Sequence, residues 1–128
     1  MNSGKIILIE DNEKDASGVS EILEAKGYKI CRIANGKEAL KRIKDEKFDL
    51  VILDLLLPDI KGEDVCSTLK KKRLYKNIPI LVLSIKDEIE DIQELLERGA
   101  DDYIIKPPRA EHLLEKVEVH ISKSRLIK

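Results

Sequence analysis

Five polar residues in this sequence stand directly after apolar runs. Glu10 and Asp11 follow Lys5–Ile9, Asp54 follows Leu50–Leu53, Ser84 follows Ile80–Leu83, and Lys106 follows Asp102–Ile105. If those runs are parallel strands, their carboxyl ends share one edge, where open α/β sheets bind their ligands. That edge then carries three carboxylates, one hydroxyl and one ammonium. Clustered carboxylates repel, and one is driven toward protonation unless a cation joins them. Carboxylate, carbonyl and water oxygens suit Mg²⁺, with Mn²⁺ as the alternative. A lysine facing the cluster supplies a compact charge for a phosphoryl oxygen, and a hydroxyl opposite can donate to another. A nucleophile, a charge-neutralising metal and fixed donors are the parts that phosphoryl transfer needs.

The elements that must position these groups are legible in order. Lys5–Glu10 reads as a buried strand rich in β-branched residues. Asn12 is a cap for a helix with Ala16, Val19, Ile22 and Leu23 at helical spacing, which Gly27 ends. Tyr28–Ile33 is a second strand, and Asn35-Gly36 predicts a turn before a helix bearing Ala39, Leu40 and Ile43. Leu50–Leu53 is an unbroken apolar run, as expected of a strand buried on both faces. Pro58 and Gly62 mark the loop behind it. A third helix carries Val65, Cys66 and Leu69 and ends in Lys70–Arg73, read as a solvated basic helix end. Ile80–Leu83 is the fourth strand. A helix with Ile89, Ile92, Leu95 and Leu96 follows, then the short strand Asp102–Ile105. The last helix turns Leu113, Leu114, Val117 and Ile121 inward. His112 and His120 lie on it and read as surface residues. Five strands alternating with five helices imply a parallel sheet with right-handed crossovers and helices on both faces.

Bulk composition narrows the function classes. The 128 residues suit one domain. Hydrophobic residues make up 42% and aromatics only 3%, so the core is aliphatic. A net charge of −1 argues against a direct grip on nucleic acid. The N-terminal residues lack the apolar stretch of a signal peptide, and no run approaches the ~20 apolar residues of a membrane helix. The expectation is a cytoplasmic protein. Cys31 and Cys66 lack metal-type spacing and read as reduced structural thiols.

The sequence resembles the response-regulator receiver domains of two-component signalling. The resemblance spans about Lys5 to Ile121 and rests on ILIEDN, DLVILDLLLPDIKG, IPILVLS and GADDYIIKP in that order. It implies a flavodoxin-like, doubly wound, five-stranded parallel sheet in the order 2-1-3-4-5 with five helices. The implied receiver domain covers residues 4–122, and 123–128 are a C-terminal tail or the start of a linker. Asp54 aligns with the phospho-accepting aspartate. Asp11 aligns with the direct Mg²⁺ ligand, Glu10 with its partner, and the Leu56 backbone carbonyl with a further ligand. Ser84 and Lys106 align with the hydroxyl and the lysine that meet the phosphoryl group, and Lys106-Pro107 with a bond that is usually cis. Tyr103 aligns with the switch aromatic. The implied donor is a sensor histidine kinase or a histidine phosphotransfer protein. The implied consequence is a change in the face made by the fourth helix, fifth strand and fifth helix, with phosphorylation-dependent homodimerisation on it. Such a domain modifies only itself and is not an enzyme acting on an outside metabolite.

Three departures from the family pattern stand out. Ile85 occupies a position where a small residue is usual, and its bulk is expected to narrow the approach to Asp54. Leu56 offers no polar group to orient an attacking water, which implies a long-lived phosphorylated state. Pro108 replaces a common phenylalanine. The rival readings fit less well. A phosphatase of the haloacid-dehalogenase type needs an aspartate where Leu56 stands. A flavin-binding domain needs a hydroxyl- or glycine-rich phosphate loop, whereas the loop after the first strand holds Glu10, Asp11, Glu13 and Asp15. The remaining alternative is a receiver-like interaction module that is never phosphorylated.

Overall fold

The computed structural model describes residues 4–86 and 88–126. Ten elements alternate along the chain: β1 (Lys5–Ile9), α1 (Glu13–Glu24), β2 (Lys29–Ile33), α2 (Gly36–Asp45), β3 (Leu50–Leu53), α3 (Gly62–Lys71), β4 (Ile80–Ser84), α4 (Ile89–Glu97), β5 (Asp102–Ile105) and α5 (Ala110–Leu126). The strands form one parallel sheet in the order β2-β1-β3-β4-β5. The expected doubly wound fold is the one observed.

Strand residues alternate between two cores, which explains why the inner strands β1, β3 and β4 are apolar on both faces, while the edge strand β2 carries exposed Lys29 and Arg32. Ile7, Ile9, Val51, Leu53, Ile80 and Val82 face α2, α3 and α4, against Ala39, Ile43, Val65, Leu69 and Leu95. Ile6, Leu8, Leu50, Ile52, Leu81 and Leu83 face α1 and α5, against Val19, Leu23, Leu113, Val117 and Ile121. Among the described residues no helix is long and apolar enough to cross a membrane. Both cysteines are free, and burial pushes the Cys66 thiol up to about 12.

Local chemistry sets the element boundaries. The Asn12 side chain accepts from the Asp15 N–H and starts α1, as expected. Asn35 does the same for α2 through the Glu38 N–H, so Asn35-Gly36 opens the helix directly instead of forming a separate turn before it. Gly27 takes the positive φ of 97° that lets the chain leave α1 for β2. The Lys106-Pro107 peptide is cis.

Four expectations shift. Lys71, Lys72 and Arg73 are exposed as expected, but Lys70 is only partly so: its ammonium donates to the Lys76 and Ile78 carbonyls and to Asp101, closing the α3–β4 connection. The apolar residues of α4 are not all covered, since Ile89 and Leu96 are exposed and only Leu95 is buried. His120 is not a free surface residue, because its Nε2 lies 2.8 Å from Asp102 Oδ2. Helix α5 runs on to Leu126, past residue 122, with Lys123 and Arg125 in its last turn where cations complement the helix dipole.

Candidate functional site

Glu10, Asp54 and Lys106 stand directly after strands and Ser84 ends β4, where the sheet itself holds them; Asp11 and Leu56 follow in the adjoining loops, and Tyr103 lies within β5. The Glu10 N–H donates to the Ile33 carbonyl of β2, and the Asp54 N–H donates to the Ile9 carbonyl of β1 at 2.9 Å. The Lys106 N–H donates to the Ser84 carbonyl, also at 2.9 Å. These bonds continue the ladders one step past the strand ends, so the backbones of Glu10, Asp54, Ser84 and Lys106 are fixed before their side chains are considered. Beyond Asp54, the Leu56 N–H donates to Asp54 Oδ1 at 3.3 Å, and the Gly62 N–H donates to the Leu55 carbonyl.

The side chains converge. One carboxylate oxygen from each of Glu10, Asp11 and Asp54 lies within 4.8 Å of the others. Glu10 and Asp54 are buried and Asp11 is exposed. Lys106 reaches into the group: its Nζ donates to Glu10 Oε1 at 2.5 Å and to Asp54 Oδ2 at 3.3 Å. It also donates to Asp15 Oδ2 at 2.9 Å. Burial pushes the Glu10 carboxyl up to about 7, against the pull of Lys106 and with Asp54 adding repulsion. Burial alone would lower the Lys106 ammonium, but Glu10, Asp15 and Asp54 outweigh it and hold it above its ordinary value. One buried ammonium therefore faces several carboxylates, and an all-oxygen donor set open at Asp11 fits a divalent cation.

Ser84 is fully buried at the end of β4, and its Oγ accepts from the Lys86 N–H at 3.5 Å. Tyr103, one strand over on β5, is half-buried, and its phenol donates to the Lys86 carbonyl at 2.6 Å. Burial pushes that phenol up, and the Ser84 hydroxyl beside it opposes the shift. Ser84 and Tyr103 thus hold opposite sides of the same short loop after β4. Ile85 points outward and is 64% exposed; it borders an open hollow shared with Asp15 and Lys106. Leu56 is also exposed. Pro108 borders the same hollow and a second, shallower one that it shares with Tyr103, Ile105 and His112.

Two contributors were not singled out from sequence. Asp15 lies in the first turn of α1, and it is brought onto Lys106 across 91 residues. Asp59 accepts from the Gly36 and Lys37 N–H groups and fastens the loop behind Asp54 to the start of α2. Those N–H bonds hold its carboxyl below the usual range although burial opposes them. Short acidic side chains in loops and in the first turns of helices are common, and only the pairing distinguishes these two.

A family model described as the response regulator receiver domain matches residues 6–118. The chain is 37% identical over 122 residues to the alkaline phosphatase synthesis transcriptional regulatory protein PhoP of Bacillus subtilis, covering 95% of this chain and 50% of that protein. The chain spans about half the length of the curated relatives it matches. Among solved structures it superposes on the signal receiver domain of a signal transduction histidine kinase from Syntrophus aciditrophicus with a TM-score of 0.87 and 34% identity, covering 94% of this chain and 91% of that one. It also superposes on a CheY-like response regulator receiver domain protein from Methanospirillum hungatei with a TM-score of 0.90 and 27% identity, covering 99% and 100% of the two chains.

Proposed function

From the premise that this chain belongs to the response regulator receiver domain family, we propose that Asp54 is its phosphoacceptor and Lys106 the cation that binds the transferred phosphoryl group. The observation that carries this reading is the convergence on Lys106: its ammonium bridges buried Glu10 and buried Asp54 at the carboxyl edge of the sheet. Asp54 Oδ attacks the phosphorus of a phosphohistidine on a sensor histidine kinase or a histidine phosphotransfer protein. The new O–P bond forms as the P–N bond breaks, and the imidazole leaves. Glu10, Asp11, Asp54 and the Leu56 carbonyl would hold the divalent cation, Mg²⁺ or Mn²⁺. That cation supplies neutralisation of charge on the transferring group.

Lys106 then donates to a phosphoryl oxygen, and the buried Ser84 hydroxyl supplies a second donor. Ser84 and Tyr103 both engage Lys86, so a movement of the hydroxyl is passed to the phenol through the loop between β4 and α4. This makes the α4–β5–α5 face a two-state element biased by a local charge change. Exposed Ile89, Leu96 and Ile105 give that face apolar positions for a partner or a second copy of the chain. We place the domain in the cytoplasm. Its output passes through another domain or protein and not through nucleic-acid contact by this chain, whose net charge is −1. It processes no outside metabolite.

The test is intact mass after incubation with Mg²⁺ and a small acyl-phosphate donor, for the wild type and Asp54→Asn. One added phosphoryl group that needs Mg²⁺ and is lost in the variant is the expected result. No addition, or addition that survives Asp54→Asn, would overturn the assignment. The protein has no tryptophan, so mass is a more direct readout than indole fluorescence.

A further inference from the structure

The Lys106 ammonium has three N–H donors, and all three are taken. Glu10 accepts at 2.5 Å, Asp15 at 2.9 Å and Asp54 at 3.3 Å, so the proposed phosphoacceptor holds the longest of the three bonds. A phosphoryl oxygen arriving on Asp54 can take over the Asp54 bond, the longest, so the two remaining bonds decide how far Lys106 can turn toward it. Glu10 is buried and belongs to the carboxylate cluster, so exchanging its partner leaves a carboxylate out of water. Asp15 lies outside that cluster. Its side chain is 43% exposed, and water can take over its hydrogen bond. Asp15 is nevertheless well placed to compete. Its own N–H is held by the Asn12 cap, which anchors the first turn of α1 beside the end of β5. Its carboxylate also borders the open hollow that Lys106 and Ile85 share, so a negative charge stands where an anionic donor would approach.

From this geometry we infer that Asp15 is a positioning residue that restrains Lys106 in the unphosphorylated state and slows phosphoryl transfer to Asp54. The inference rests on Asp54 being the phosphoacceptor. Asp15 acts in two ways with the same sign. It limits how far the lysine can turn toward the phosphoryl group, and it repels the incoming anion. Both depend on the carboxylate charge and not on the size of the side chain. The Asn12 cap uses only the backbone N–H of residue 15, so side-chain variants keep the helix start.

The experiment measures the rate of phosphorylation by a small acyl phosphate with Mg²⁺, by intact mass, for the wild type, Asp15→Ala, Asp15→Asn, Asp15→Glu and Asp54→Asn. Beryllofluoride binding with Mg²⁺ is measured in parallel. Asp15→Ala and Asp15→Asn are expected to react about threefold to fivefold faster, the upper part of the range a half-exposed ion pair commands. Both should bind beryllofluoride correspondingly more tightly. Asp15→Glu restores the carboxylate and should stay within about twofold of the wild type. The advantage of Asp15→Ala should shrink as salt is raised. Equal or slower rates in Asp15→Ala, or a fast Asp15→Glu, would overturn the inference while leaving the Asp54 assignment intact. A wild type that takes up no phosphoryl group, or an Asp54→Asn that takes one up, would instead overturn the Asp54 assignment and the restraint with it.

Discussion

Leu56 shows how one side chain sets the lifetime of a state it does not create. Its backbone N–H steadies Asp54, while its side chain is exposed beside the site and carries no hydrogen-bonding group. Hydrolysis of an aspartyl phosphate needs a water held in line, and orientation of a reactant is a large part of any such barrier. With nothing at residue 56 to hold that water, phosphorylated Asp54 should decay with a half-life of minutes or longer. Leu56→Gln, which adds a donor and an acceptor, should shorten it several-fold. Loss of the added mass after the donor is removed measures both. A wild-type half-life of seconds would show that another group already orients the water. The sequence displays Leu56 plainly because the residue is defined by its distance from Asp54 along the chain. Asp15 is different: its relation to Lys106 spans 91 residues and no local pattern announces it.

Among the elements, α3 matters most to the site through its first residue. A Cβ on Gly62 would sit 2.6 Å from the Leu55 Cα and 3.2 Å from the Asp54 carbonyl oxygen. The start of α3 therefore lies directly on the backbone that follows β3, and only glycine permits the approach. Gly62→Ala should push the Asp54–Leu55 segment away from β1, costing about 1–3 kcal/mol in chemical denaturation. It should also weaken Mg²⁺ binding, because Asp54 is displaced relative to Glu10 and Asp11. Unchanged stability and unchanged metal affinity would mean that the loop absorbs the methyl group without moving. The inner strands β1, β3 and β4 were legible because burial on both faces leaves continuous apolar runs, and each run ends at a polar residue. Helix α4 was less so. Ile89, Ile92, Leu95 and Leu96 carry the helical period, but a period reports that an apolar face exists and not that this chain covers it. Asp59 was not singled out, and Lys70 was read only as part of a solvated basic end, for a related reason. Their types suggest solvent, and the partners that engage them come from other elements.

At the scale of the whole molecule, the site edge and the far edge of the sheet are joined through β5 and α5. Asp102 opens β5, Tyr103 follows it, and Lys106 stands directly after the strand. Asp102 Oδ2 receives Lys116 at 2.9 Å and His120 at 2.8 Å, both from α5, while its Oδ1 accepts from the Tyr103 N–H. One carboxylate thus clamps the outer strand to its helix at the end opposite the phosphorylation site. Burial pushes the Asp102 carboxyl up, but His120, Lys116 and the Tyr103 N–H together pull it below its ordinary 3.8. A carboxylate depressed in the folded state binds fewer protons there than in the unfolded chain. Its contribution is therefore complete above the unfolded value and is lost as pH falls through the lower folded one. Asp102→Asn should reduce stability by about 1–2 kcal/mol at neutral pH, allowing for partial exposure of the group. The difference between variant and wild type should close as pH drops below 3.8. Denaturant midpoints measured from pH 7 down to acid give the comparison. A gap that stays constant across that range would mean that Asp102 acts by packing alone and that the charge clamp contributes nothing. If the gap does close, the same clamp limits how far β5 and α5 separate when Tyr103 moves, and Asp102→Asn should then loosen the α4–β5–α5 face in the unphosphorylated protein, seen as faster amide exchange in β5 and α5 than in β1 and β3.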